Sequence, residues 1–462
     1  MSEPATASES QAAGRAARRK TPRSSHAGWE PPSDRQDPVE TLTKQDKTRV
    51  QDLVPIRHGR MLASAFTFYR GAAAIMAADL AATPSSGLKA QLCGDAHLSN
   101  FGGFAAPDRR LIFDINDFDE THPGPFEWDL KRLAASFSVG GRALGFKGSE
   151  RHSAVAAAAG EYREEMRRLA SMRTIDVWYE RLDVQALEQY RSRVSRSQAK
   201  NFDKNVAKAE RKNSLRAFDR LTRSENGEIR IVSDPPLIVP IEEVFDVDAA
   251  VVDQRLRAVF AAYTGTLSRD VRHLVDGYRY MHAAHKVVGV GSVGTRAWIL
   301  LLLGRDSQDP LFLQAKEAQT SVLEPYTGAS KFKQQGRRVV EGQRLMQAAS
   351  DIYLGWLTAE GPDGKKRDFY VRQLWDGKGS AEVERMTPKT MALYAKLCGW
   401  TLARAHARSG DRIAIAAYLG KGDSFDRAIC DFSEAYAEQN ERDYKEFARS
   451  VKDGSLEAVA DI

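Results

Sequence analysis

The hydrophobic positions along this chain change period several times, and each change marks an element. From Met61 to Ala81 the run MLASAFTFYRGAAAIMAADLA is rich in alanine and apolar residues, which predicts one buried helix stopped by Thr83 and Pro84. RRLIFDIN then alternates apolar and polar residues, the period of a strand, over Arg109 to Asn116. NFGGF runs back toward it across the turn-rich AAPD, so the two read as an antiparallel hairpin. A helical period returns in EWDLKRLAASFSVGGRAL, residues 127–144, with Leu130, Leu133 and Phe137 on one face. Residues 151–223 are mostly helical in pattern. SDPPLIVPI (233–241) is an extended connection bounded by prolines, and further helices are expected over 248–284.

Downstream the texture turns to β. HKVVGVGSVGTRAWILLLLG (285–304) and DPLFLQAKEA (309–318) predict strands around a glycine turn. DIYLGWLTA and RDFYVRQLW predict two more, joined by the turn EGPDGKK, and a helical stretch, residues 333–350, lies before them. TPKTMALYAKLCGWTLARAHARSG (387–410) is a well-bounded helix, with Thr387 as cap, Pro388 in the first turn and Gly410 at its end. No internal repeat or heptad run interrupts this order. The class is α+β.

Composition narrows the picture only a little. The 462 residues, 42% hydrophobic and 28% charged, are enough for two or three domains with sizeable cores. The longest apolar run, AWILLLLG, is too short to cross a bilayer, and residues 1–35 have no apolar stretch suited to a secretory signal. Residues 1–36, rich in Ser, Ala, Arg and Pro, read as a disordered basic tail. Cys93, Cys398 and Cys430 are too scattered for a disulfide framework or a zinc site, which leaves the cytoplasm as the expected location. A net charge of +6 suits an anionic ligand without calling for nucleic acid, and the Arg- and Lys-rich stretch 191–223 reads as a solvated helical face.

Candidate chemistry begins at the hairpin. CGDAHLSNFGGFAAPDRRLIFDINDFDE gathers Asp95, His97, Asn100, Asp117 and Asp119 around two short strands. If Phe104 sits opposite Leu111, then Asn100 faces Ile115 and Leu98 faces Asp117. This leaves Asn100 and Asp117 at one open end, about 7 Å apart. A carboxylate and an amide oxygen suit a hard ion such as magnesium, which takes its remaining ligands from water and phosphate. Asp95, in the loop before the strand, is placed to accept a proton from a hydroxyl attacking a phosphoryl group. His97 is expected to orient the loop, Asp119 to hold a second ion or cap the next turn, and Asp129 to satisfy backbone donors near its helix start.

A second cluster lies far downstream. GVGSVG, with Gly289, Gly291 and Gly294, fits G-x-G-x-x-G between two strands, and a later strand carries Lys316. Protein kinases use a strand, a glycine loop, a strand and then a strand lysine over the phosphates of ATP. Dinucleotide binding would need a helix directly after the glycines, and AWILLLL is β in character. A lysine among core-facing residues needs a partner, for which Glu341 is the first choice and Glu324 the second. Ser292 and Arg296, in or beside the glycine turn, are placed where they could touch phosphate.

These residues resemble known families. CGDAHLSN resembles the catalytic loop of aminoglycoside phosphotransferases and other kinase-like enzymes, and INDFDE followed by EWDLKRLA resembles their metal-binding segment and the helix after it. The chain from about residue 37 to 440 is also similar to an uncharacterised bacterial family, the domain of unknown function 2252. YRGAA, GDAHLSNFG, NDFDET, PFEWDLKRL, GVGSVGTR, LQAKEA, GQRLMQA and YVRQLWDGK carry that similarity, which implies no known reaction. The kinase-like resemblance implies Asp95 as catalytic base, Asn100 and Asp117 as magnesium ligands, and Lys316 on the nucleotide phosphates.

Two departures stand out: Cys93 replaces the usual histidine, and the glycine loop and lysine follow the catalytic loop instead of preceding it. A circular permutation reconciles the order, since GWTLARAHARSGD resembles the helix that leads into the catalytic loop. The expected architecture is then a circularly permuted, protein-kinase-like two-lobed fold. Residues 285–380 form a small antiparallel β lobe, and 37–284 with 381–462 form a mostly helical large lobe. The expected activity is ATP- and magnesium-dependent phosphotransfer to a hydroxyl or amine of a small molecule or a protein side chain. The alternatives are a nucleotide-binding regulator without turnover, a nucleotidyl transferase, and a nucleic-acid binder using 191–223.

Overall fold

The computed structural model of the chain describes residues 3, 5–184, 214–225, 228–244, 249–287, 289–361, 363–374, 377 and 379–459. Most of the basic stretch 191–223 therefore lies outside the described residues.

The N-terminal segment is helical, contrary to the expected disordered tail. Helix α1 (Ala7–Lys20) opens on a capping box between Thr6 and Glu9 and lies against the helix Arg412–Leu419. Gly14 permits the approach, since a Cβ there would come 2.1 Å from the Ala414 carbonyl oxygen. Two basic residues of the segment, Arg18 and Arg23, are used as caps. The Arg18 Nε donates to the Tyr418 carbonyl at 2.8 Å, and Arg23 Nη1 to that of Leu419 at 2.5 Å, where the helix leaves its last carbonyls unpaired. Composition alone hid this because each arginine finds its partner about 400 positions away in sequence.

The expected single helix over 61–81 is three: α3 (Val54–Leu62), α4 (Ala65–Gly71) and α5 (Ala73–Ala81), preceded by α2 (Pro38–Asp46). Ser64 breaks the first junction because its hydroxyl caps Thr67 and Thr67 bonds back, so the backbone turns there instead of continuing. Strand β1 (Lys89–Leu92) follows, then the loop to Asn100, the hairpin β2 (Phe101–Ala105) and β3 (Leu111–Ile115), and β4 (His122–Pro125), which returns to pair with β1. Phe104 pairs with Ile112, one residue from the expected register. The turn explains the slip: Arg109 takes a left-handed conformation (φ 66°) and its N–H bonds the Ala106 carbonyl, tightening the connection.

Helices α6 (Phe126–Ala143) and α7 (Gly148–Ala170), together with the helices Pro388–Ser409 and Ser424–Lys452, form the body of the molecule. They enclose the largest core, which includes Leu130, Leu133, Phe137, Tyr162, Leu402 and Phe432. β5 (Leu182–Asp183) joins β3 at the edge of the hairpin. Next come the small ribbon β6 (Thr222–Glu225) and β7 (Glu228–Ile231), then β8 (Ile238–Pro240).

A six-stranded antiparallel sheet follows, made of β8, β9 (Arg279–Lys286), β10 (Ala297–Leu303), β11 (Pro310–Glu317), β12 (Gly355–Glu360) and β13 (Lys366–Gln373) in the order 12-13-11-10-9-8. The sheet thus starts before residue 285, the expected boundary, with β8, and Arg269–Asp276 is the last helix before β9. The helix Gln335–Met346 packs on β12 and β13, and β14 (Gly379–Ser380) leaves the sheet to pair with β2 in the hairpin.

One junction bears on chain order. The helix Pro388–Ser409 ends against β1: Ser409 Oγ accepts from the Gln91 N–H at 3.2 Å, and a Cβ on Gly410 would come 2.8 Å from the Lys89 carbonyl oxygen. The C-terminal part of the chain therefore delivers a helix directly to the strand that enters the Cys93–Asn100 loop. Among the described residues no helix is long and apolar enough to cross a membrane.

Candidate functional site

The loop from Cys93 to Asn100 is held from below by one face of α6. Asp129 accepts from the Cys93 and Gly94 amides at 2.7 and 3.0 Å. Arg132, one turn on, donates to Asp95 Oδ1 at 2.8 Å, and Ser136, a further turn on, accepts from the Leu98 amide at 2.9 Å. Positions three and four apart share a helix face, which is why DLKRLAAS clamps three points of one loop. His406, from the Pro388–Ser409 helix, reaches the same Asp129 at 3.3 Å and is itself held by the Tyr162 hydroxyl at 2.8 Å. Asp129 thus serves backbone donors as expected, but those of the loop and not those of its own helix.

Asp95 keeps one oxygen engaged by Arg132 while Oδ2 stands 3.7 Å from His97 Nε2, at the wall of a cavity. His97 is buried, and burial pushes its pKa down to about 4 against the opposing pull of Asp95, so the ring is neutral at pH 7. Asn100 ends a 3-10 turn (Leu98–Asn100) instead of lying in the strand. Its Nδ2 donates to the Asp95 and Asp117 carbonyls, both at 3.0 Å, and this fixes Oδ1 as the free oxygen. That Oδ1 is buried with no hydrogen-bond partner. An orphaned acceptor of this kind is costly unless something else satisfies it.

Across the cavity, β11 presents Lys316, opposite Tyr370 of β13. Lys316 Nζ is 2.6 Å from Asp119 Oδ2 and 3.4 Å from Asp117 Oδ2. Burial would lower its pKa, but Asp117 and Asp119 more than offset this and hold it above the ordinary lysine value. Lys316 and the two aspartates come from distant parts of the chain, so the acidic hairpin and the strand lysine close on one site. Asp119 also accepts from the Tyr370 hydroxyl at 2.6 Å and from the Ser292 hydroxyl at 3.3 Å.

The expected partner of Lys316 is corrected. Glu341 faces Arg337 on its own helix at 3.5 Å, half-exposed, and Glu324 accepts from the Ser330 amide. The Gln335–Met346 helix instead contributes Arg338, whose guanidinium donates to the carbonyls of Thr121, Asp119 and Gln319. Arg338 braces the segment carrying Asp119, so the helix acts on the backbone of the acidic loop and not on the lysine.

The glycine loop sits beside these groups. Gly289 and Gly294 have φ of 68° and 86°, a region that favours glycine, and the loop is clasped by Arg60 on the Gly289 carbonyl (2.6 Å) and Arg49 on that of Val293 (2.5 Å). Gly289 and Ser292 line a smaller cavity of about 240 Å3 with Lys316, Asp117, Gln314 and Leu374, and also, with Gly291, a larger one of about 1360 Å3. Arg296 is turned aside into an ion pair with Glu317 at 3.1 Å. At the edge of the larger cavity the half-buried Glu120 holds the Val322 amide at 2.8 Å, and its removal from water raises its pKa to about 7.

Among the described residues no group of three His, Cys, Asp or Glu side chains gathers to hold a metal ion. The set is therefore unsuited to a protein-only cage such as zinc requires. It fits magnesium better, which needs one or two carboxylates and completes its shell with water and phosphate. Asp117, Asp119 and the orphaned Asn100 Oδ1 are the oxygens that would hold it. Sequence reasoning missed Arg132, Arg338 and Tyr370. Only Arg132 left a signal, its spacing from Asp129 and Ser136 on one helical face.

No curated protein and no solved structure matches the chain. A family model described as "Uncharacterized protein conserved in bacteria (DUF2252)" matches residues 49–450, and the chain belongs to that family.

Proposed function

We propose that this protein transfers a phosphoryl group from ATP to a hydroxyl or amine acceptor, using magnesium, on a kinase-like fold whose two halves are joined in permuted order. The observation that carries the reading is Lys316 reaching Asp119 and Asp117 across the cavity, next to the unsatisfied Asn100 Oδ1. A lysine and oxygen donors at a glycine loop are the parts that phosphoryl transfer needs for positioning and charge neutralisation. The Ser409–Gln91 junction supports the permuted order, because a helix from the C-terminal part of the chain feeds the strand that leads into the Asp95 loop.

In this reading the smaller cavity, with Gln314, Leu374 and Lys286 on its walls, receives the nucleotide, and the larger one receives the acceptor. Magnesium, when bound, neutralises charge on the phosphate oxygens. Asp117 and Asp119, with Asn100 Oδ1, would hold the ion in place of part of their contact with Lys316, which would then be free to face the phosphates. Asp95 Oδ2 takes the acceptor proton as the acceptor oxygen or nitrogen bonds to the γ-phosphorus. The bond from that phosphorus to the β,γ-bridging oxygen breaks and ADP leaves. Arg132 positions Asp95 for this.

The Arg132–Asp95 ion pair favours a second reading, nucleotide binding without turnover, because Arg132 already engages one oxygen of Asp95 as it would engage a purely structural carboxylate. Calorimetric titration of wild type and Asp117→Ala with ATP and magnesium tests the site: tight binding by wild type and at least tenfold weaker binding by the variant are expected. Equal binding by both, or none by either, rejects the assignment. ATP consumption across a broad metabolite panel, with products weighed by mass spectrometry, then separates phosphoryl transfer, AMP transfer and binding alone.

A further inference from the structure

The larger cavity has a feature that the phosphotransfer chemistry leaves unused. Arg70, the last residue but one of α4, lines it together with Ala73 and Ala74 of α5 and with Asp95 and His97. Arg70 makes no hydrogen bond or ion pair among the described residues, and its Nε is buried without a partner. Burial pulls its pKa below the ordinary arginine value, with only the fields of Asp95 and Glu384 opposing. The contrast with its neighbours is plain: in the same wall Arg296 is paired with Glu317, and Arg49 is held by the Val293 carbonyl. A half-buried arginine whose Nε is closed off from water without a partner, at the wall of a cavity, suits an anion from outside the chain.

Two further observations point to the same spot. Helix α5 begins there with no side-chain cap and no acidic residue in its first turn, so its leading N–H groups have no intrahelical acceptor. His97, more than nine-tenths buried, lines the same cavity with its Nδ1 unpartnered. A fork of guanidinium donors beside an uncapped helix start is a combination suited to phosphate. Lys44 and Lys47, both exposed, stand at the wall of the same cavity and add positive field at its approach.

We propose that the acceptor is itself a phosphorylated small molecule, and that Arg70 with the first-turn amides of α5 holds its phosphate so that a second, free hydroxyl lies at Asp95. This rests on the phosphotransfer reading for the role of Asp95, whereas the phosphate site stands on its own geometry. The cavity, at about 1360 Å3, has room for such a molecule beside the nucleotide site.

The test uses the full chain without nucleotide, inorganic phosphate as probe and acetate as the comparison anion, read by thermal shift and calorimetry. Wild type and Lys316→Met should bind phosphate alike and more tightly than acetate. Arg70→Gln should bind it at least tenfold more weakly while binding ATP and magnesium as wild type does. Ala74→Glu supplies a variant whose folding is not at risk, because a carboxylate in the first turn favours the helix. It too should lose phosphate. Phosphate binding lost in Lys316→Met but intact in Arg70→Gln and Ala74→Glu, or unchanged in all three, overturns the proposal and leaves the ATP site untouched. Acetate binding as tightly as phosphate overturns the phosphate assignment. Arg70-dependent phosphate binding in a protein that shows no affinity for ATP overturns the phosphotransfer reading instead.

Discussion

The hairpin region holds two kinds of carboxylate within a few residues of each other. Asp114 and Asp129 are buried and satisfied from inside the helical body. Asp114 pairs with Arg404 and holds the Ile115 amide, while Asp129 takes the Cys93 and Gly94 amides and His406. Asp117 and Asp119 are partly exposed, and their cation, Lys316, comes from the sheet on the other side of the cavity. The first pair is fixed by groups that cannot leave without unfolding something. The second is held by a charge that an ion and a phosphate can replace. Sequence proximity conceals this division, and partner origin reveals it: a carboxylate bound within its own packed body maintains a loop, whereas one bound across a cavity is available to a ligand.

The sharpest way to break the comparison is to neutralise one member of each kind. Asp117→Ala should lower phosphate transfer by about 10^3 or more, on the order of 4 kcal/mol of transition-state stabilisation. Its melting temperature should stay near that of wild type, because the side chain is partly exposed and Asp119 still neutralises Lys316. A large loss of stability in this variant would move Asp117 into the structural class.

Asp129→Ala should behave the other way. It strands the buried Cys93 amide and the part-buried Gly94 amide, and at about 1–3 kcal/mol for an orphaned buried donor, less for the second, the loss should reach roughly 3 kcal/mol in urea unfolding. Activity in the folded fraction should fall as well, since the loop carrying Asp95 is freed at its base. A variant as stable as wild type would mean that the clamp from α6 does not anchor the loop.

How far the sequence reveals this division differs from residue to residue. That Asp95, Asn100 and Asp117 line one cavity is legible because they lie close in sequence around one hairpin, whereas the arrival of Lys316 opposite Asp117 is expected only through the resemblance. The Pro388–Ser409 helix is legible because its cap, its proline and its terminal Gly410 are local signals. The one-residue slip in the hairpin register comes from the left-handed Arg109, a conformation that an arginine does not advertise. Composition predicts a tail where the N-terminal helix lies, because Arg18 and Arg23 act on carbonyls far along the chain. Arg338 and Tyr370 were invisible for the same reason: their value lies in which loop they face, and only the assembled sheet decides that.

Acid sensitivity sharpens the comparison between body and sheet. His285, on β9, packs edge-on against Trp298, and burial, aided by Arg296, lowers its pKa to about 4. A histidine whose folded pKa is depressed lets the unfolded chain take up the proton first. Its stabilising contribution is complete above the unfolded value near 6.5 and declines as pH falls toward about 4. Between pH 6.5 and 5 the decline should be about 1.5 kcal/mol, and His285→Gln should remove that part of the slope in urea unfolding at the two pH values. His26, in the body beside Tyr418 and pushed down to about 3 by burial and by Lys131, should extend the acid limb further. If the slope survives His285→Gln unchanged, the acid sensitivity originates in the body alone.

The smallest expected effect is the most discriminating for the kinase-like reading. In the arrangement that the resemblance implies, a helix glutamate pairs with the strand lysine, and removing it should cripple nucleotide binding. Here Glu341 lies half-exposed against Arg337 on its own helix, while Asp117 and Asp119 neutralise Lys316. An exposed pair one turn apart contributes about 0.3–0.5 kcal/mol. Glu341→Gln should therefore leave ATP affinity unchanged and shift stability by less than about 0.5 kcal/mol. The informative control is Arg338→Met on the same helix, which removes the donors to the Thr121, Asp119 and Gln319 carbonyls and should weaken ATP binding by loosening the acidic segment. If the order is reversed, with Glu341→Gln abolishing binding and Arg338→Met tolerated, the helix turns on ligand entry to bring Glu341 to Lys316. The division between carboxylates within the body and carboxylates across the cavity would then describe only one state of the protein.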